Sequence, residues 1–195
     1  KEVAEMYKLD NMYNLVRSGK WVNEKVYEYC LAVTDDLNGD GKIDENDRAG
    51  LALQNGLIQN MLISSGAKLT TRNSNGDLEL SIMNEKNADL QSRLYKFSQD
   101  VNAVNNASNY LSKYKNVFYE LHIPMFANNQ LLFNFNQLLI SFELRSMNAD
   151  YGILPTPKAD EAQENYYTSM SMSWQTFLCV PATNDRLEMT GHVIE

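Results

Sequence analysis

The sequence has few of the residues that most often do chemistry or brace a small fold. Only two cysteines, Cys30 and Cys179, occur in 195 residues, so a disulfide framework of the kind that holds small secreted domains is excluded. Both lie in apolar strings, EYCLAV and TFLCVP, and read as buried small hydrophobes. The two histidines, His122 and His192, are far apart and lack companions at metal-ligand spacing, so each reads as structural or solvated. Positive charge is scarce. Lys and Arg number 17 against 25 Asp and Glu, for a formal net charge of −8, and no basic run is present to track a phosphate backbone, which argues against nucleic acid. No apolar run approaches the ~18–20 residues of a membrane span, so no direct membrane insertion is expected. G-x-S-x-G, H-E-x-x-H, a phosphate loop and a Cys/His pair at recognisable spacing are all missing. Asp160 and Glu161 sit in a stretch expected to be exposed, where nothing raises a carboxyl pKa. The chain is expected not to be an enzyme.

Hydrophobic residues make up 44% of the chain, enough for one full core. No repeat, low-complexity tract or linker divides it, so residues 1–195 read as a single domain. Val3, Met6, Tyr13 and Val16 predict a first helix that stops near Gly19. A second starts near Asn23 and places Val22, Val26, Cys30 and Val33 on one side. AGLAL (residues 49–53) reads as a strand, followed by a helix through Ile58 and Leu62 that ends at Gly66. KLTTRNSNGDLELSIM has turn residues between two alternating runs, the signature of a hairpin. Leu90, Leu94, Phe97, Val101 and Val104 form one long helical stripe. Residues 107–116 read as loop, QLLFNF (130–135) as a strand and QLLISFELRSM (137–147) as a helix. YGILP (151–155) and FLCVP (177–181) read as strands, the second buried, with TPKADEAQEN between them as exposed loop. A last helix begins at Asn184. Strands alternating with helices predict an α/β fold, a mixed sheet flanked by helices.

One stretch has specific chemistry. In DLNGDGKIDEND (residues 36–47) Asp36, Asn38 and Asp40 fall at the first, third and fifth positions of a calcium loop. Gly41 stands where such a loop turns sharply, and Lys42 offers its backbone carbonyl. Ile43 is placed to anchor the loop to the core. Asp44 is at the position that often acts through water, and Asp47 stands in for the usual glutamate. The expected cofactor is structural calcium. A paired calcium-sensor motif does not fit, because AGLAL follows as a strand.

Three stretches together resemble one family: KWVNEKVYEYCLAVTDDLNGDGKIDENDRAGLAL, DYGILPTPKADEAQENYYTS and VPATNDRLEMTGHVIE. They are similar to the extracellular solute-binding proteins of ABC-type carbohydrate importers, the family that includes maltose-binding protein, and especially to those of Gram-positive anaerobes. ILPTPKADEAQENYY is the most specific piece, while residues 74–128 match in pattern only. The resemblance implies a periplasmic-binding-protein-like type II lobe, with the chain corresponding to a C-terminal lobe whose N-terminal lobe and closing helices lie outside it. It also implies a cell-surface lipoprotein or periplasmic protein that holds an oligosaccharide between two lobes and presents it to a membrane permease. Family members often carry a glycine just before the strand where this chain has Asn129.

Sugar sites combine aromatic faces with uncharged or charged hydrogen-bonding side chains, and in open α/β sheets they lie beyond strand ends. Gln54 and Asn55, after AGLAL, meet that description, as do Phe135 and Asn136 after LLF, where related proteins place a ligand aromatic. Trp174, among small polar residues, is the fifth candidate. Trp21 reads as packing. The alternative function is a calcium-dependent adhesion module of dockerin type, which would need a second such loop, or a glycan-binding ancillary domain.

Overall fold

The computed structural model describes residues 1–54, 56–169 and 178–194. It is an α/β fold built on a three-stranded sheet, β1 (Ala49–Leu53), β4 (Val104–Asn106) and β5 (Leu131–Asn134), in the order β4-β1-β5. All pairing in this sheet is parallel, with Leu51 opposite both Val104 and Phe133. Among the described residues, antiparallel pairing between strands is confined to the separate hairpin of β2 (Thr70–Arg72) and β3 (Leu78–Leu80), and the principal sheet is parallel, not mixed. β1 is buried at all five positions. This is why AGLAL is a continuous apolar run and not an alternating one: a central parallel strand is covered on both faces.

On one face, α3 (Asn23–Val33) lays Val26, Cys30 and Val33 against the sheet, all at 0% exposure. No glycine or proline interrupts it, and the Thr34 hydroxyl closes its last turn on the Cys30 carbonyl at 2.9 Å. α4 (Leu57–Ser64) ends at Gly66, whose φ of +87° is the left-handed stop that glycine tolerates best. α5 (Glu85–Gln99) starts at Asn84, whose side chain accepts the Asn87 N–H. Leu90, Leu94 and Phe97 are buried and join Trp21, Leu51, Leu53 and Met61 in the larger core. A second, smaller core holds Ala49, Ala52, Leu121, Met125 and Leu131. It is covered by a wide helical turn, Phe118–His122, that runs into α6 (Ile123–Ala127).

Several expectations need correction. The first helix is two, α1 (Glu2–Met6) and α2 (Met12–Arg17), separated at Lys8 with φ +54°. Asn11 restarts the chain by accepting the Asn14 N–H on its side chain, an alternative partner that competes with helix continuation. The long stripe breaks after Gln99: Val101 is exposed, and Val104, expected as the last position of that helix, begins the strand β4. Residues 137–147 hold a 3-10 helix, Leu138–Ser146, with Leu144 as its buried residue. Residues 151–155 pair with no strand. They are tied instead by the Trp21 indole N–H, which donates to the Pro155 carbonyl at 2.8 Å. The TPKADEAQEN segment is not simply exposed. Lys158 is buried, forms a parallel bridge with Val22 and donates its ammonium to the Gln163 carbonyl at 2.7 Å. Residues 178–181 form no strand, and Cys179 is exposed, unlike Cys30. The last helix, α7 (Leu187–Ile194), begins three residues after Asn184 and has no buried residue.

Candidate functional site

The chain leaves β1 toward β4 and then crosses back to β5 on the other side. The loops beyond the C-terminal ends of β1 and β5 therefore diverge, the place where open parallel sheets leave a crevice. A groove of ≈ 760 Å³ lies there. Its floor is Trp21, Met61 and Phe133. Its sides come from Gln54 and the start of α4, from the segment after β5, and from residues 151–156. Trp21 is 1% exposed, meets the Phe133 ring edge-on with centroids 5.5 Å apart, and holds the residue 151–155 wall through Pro155. The expectation of a packing role for Trp21 holds, and the same ring contributes to the groove.

Two polar atoms in the groove have no partner. Gln54 Nε2 and Asn134 Nδ2 are buried donors without a hydrogen bond. Asn134 pairs in the ladder with Ala52, and Gln54 follows two residues later, just past the end of β1, so both amides stand at neighbouring strand ends. A buried unpaired N–H costs about 1–3 kcal/mol, a cost relieved by any ligand oxygen that reaches it. Phe135 and Asn136 also line the groove. Phe135 packs partly on the core beside Phe133, at 6.4 Å between centroids, and Asn136 is exposed, with its amide 3.5 Å from Asn134 Oδ1. Three of the five sequence candidates, Gln54, Phe135 and Asn136, thus meet in one groove. Asn55 and Trp174 lie outside the described residues. Asn134, which opens the stretch 134–137 that follows LLF, was within the place expected to touch ligand, whereas Tyr151 was missed as part of an assumed strand.

Residues 36–47 connect α3 to β1, as the sequence implied. Asp36 accepts the Gly39 N–H on Oδ1 at 2.7 Å and the Gly41 N–H on Oδ2 at 2.8 Å. These bonds, that of Gly41 foremost, hold its carboxyl below the usual range. Asn38 accepts from the Asp40 backbone, Asp40 from Lys42, and Asp44 from Asn46. Asp47 is 0% exposed and closes the loop: Oδ1 accepts the Leu37 N–H and Oδ2 the Asp44 N–H, both at 2.9 Å. Ile43, expected to anchor the loop, is half-buried. Arg48 fastens the exit, donating to Tyr7 Oη at 2.9 Å and to the Asn129 carbonyl at 3.2 Å. The donor set is entirely oxygen, the type a hard cation takes. Among the described residues no three acidic, His or Cys side chains are gathered as metal ligands.

His122 is fully buried. Its Nε2 lies 3.1 Å from Asn105 Oδ1, and Asn105 in turn donates to Tyr110 Oη at 3.0 Å. Burial pushes its pKa down to about 4, so it is a neutral core group, as expected of a structural histidine.

No protein-family model matches the chain, and no curated protein or solved structure is significantly similar to it.

Proposed function

We propose that this chain is a lobe, of periplasmic-binding-protein-like type II, in the solute-binding component of an ABC importer, and that its solute is an oligosaccharide. The observation that carries the reading is the pair of unpartnered buried amide nitrogens, Gln54 Nε2 and Asn134 Nδ2, on two residues that line one groove beyond adjacent parallel strands. Sugar hydroxyls accept such N–H groups and donate in return. The rings of Phe135 and Tyr151 supply the apolar surface on which the C–H face of a pyranose rests. Support also comes from Asn129. Its φ of +60° is a conformation glycine favours, at the position where the resembled family often carries glycine.

In this mechanism a second lobe closes over the sugar. Closure is a hinge population shift driven by ligand contacts to both lobes, and the closed form is what a membrane permease reads. Calcium has a structural part only. Asp36, Asn38, Asp40, Asp44 and Asp47 with the Lys42 carbonyl would hold it, fixing the α3–β1 corner away from the sugar.

Calorimetry of the full-length protein against an oligosaccharide panel tests the reading. Saturable binding of a sugar supports it. Calcium-dependent binding of a protein partner with no sugar binding would replace it with the adhesion reading.

A further inference from the structure

The groove walls come from stretches without charge. Residues 49–67, 123–142 and 151–157 contain no Asp, Glu, Lys, Arg or His, in a chain where 22% of residues are charged. Among the described residues that line the groove, none carries a charge at neutral pH. Concavity alone does not produce this. The smaller cleft between the loop after α4, the hairpin, the start of α5 and residues 159–164, ≈ 520 Å³, has Lys68, Lys86, Asp160 and Glu164 in its lining.

We infer, on the carbohydrate reading above, that the groove selects uncharged sugars and rejects uronates, sialylated sugars and sugar phosphates. Sliding a carboxylate or phosphate into the groove removes its water and offers no cation in exchange. The amides of Gln54 and Asn134 satisfy a hydroxyl oxygen fully, whereas an anion keeps its uncompensated charge. The start of α4 at Gly56 and Leu57 opens on the groove and favours negative charge, but a helix end carries only about half a unit charge. With no Lys or Arg beside it, that partial charge does not replace the lost hydration.

Isothermal titration of the full-length protein with matched pairs tests this: galactobiose against digalacturonate, cellobiose against cellobiouronate, and glucose against glucose 6-phosphate, with maltose and xylobiose extending the neutral set. At least one neutral sugar is expected to bind, its acidic counterpart on the order of 100-fold more weakly, and neutral binding is expected to be insensitive to salt. An acidic member that binds within about tenfold of its neutral partner, or tighter, overturns the inference and leaves the carbohydrate reading standing. If no member of either class binds, the carbohydrate reading falls and the inference with it.

Discussion

Gly50 lies flat against Cys30. A Cβ at Gly50 would overlap the Cys30 Cα and Cβ and stand 2.7 Å from Sγ. This close approach lets α3 settle directly on β1, the strand whose end carries Gln54. Gly50→Ala forces helix and strand apart in a closely packed interior, where overpacking costs about 1–3 kcal/mol and sometimes more. Chemical denaturation should show a loss at the upper end of that range, because the colliding atoms include backbone. A loss below about 0.5 kcal/mol would mean the packing is loose.

Acid should weaken the fold through His122. Its folded pKa, about 4, lies below its ordinary value of 6.5 because burial disfavours the imidazolium. A depressed histidine leaves stability intact above pH 6.5. Stability then falls as pH drops from 6.5 through 4, by about 3 kcal/mol in all. Denaturation between pH 7 and 4 should show that slope, and His122→Gln should flatten it. An equal slope in the variant would assign the acid sensitivity to other groups.

Asp47 is expected to be the most sensitive residue of the α3–β1 loop. Asp47→Asn turns one of its two acceptors into a donor that faces a backbone N–H, at a cost of about 1–3 kcal/mol. Calcium added to chelator-treated wild type should raise Tm, and the rise should shrink in Asp47→Asn. If calcium and chelator leave Tm unchanged, the loop is a self-sufficient turn and the proposed ion has no part in it.

Much of the architecture was legible in the sequence because local signals agreed with tertiary ones. AGLAL, the α3 stripe, the Gly66 stop and the hairpin each combine periodicity with a punctuating residue. The misses share a cause. YGILP has the composition of a strand, but pairing depends on a partner edge, and Trp21 takes the Pro155 carbonyl first. VNN (104–106) has no strand signal of its own, because its position beside β1 is a long-range choice. Lys158 looked solvated, since nothing local marks the carbonyls that receive its ammonium. For the groove, strand-end logic found Gln54 and the stretch 134–137, with Phe135 and Asn136 in it. The uncharged runs at 49–67 and 123–142 were a further signal, open to reading from the sequence, that joins the two strand ends.

The central claim is that the side-chain nitrogens of Gln54 and Asn134 are left unpaired for a ligand. Gln54→Met and Asn134→Leu, each measured both for unfolding free energy and for sugar affinity in the full-length protein, test it most directly. Removing a buried N–H that has no partner should leave stability unchanged or raise it by up to about 1 kcal/mol, while affinity falls by about tenfold or more. Variants that lose stability and bind sugar as tightly as wild type would contradict the account.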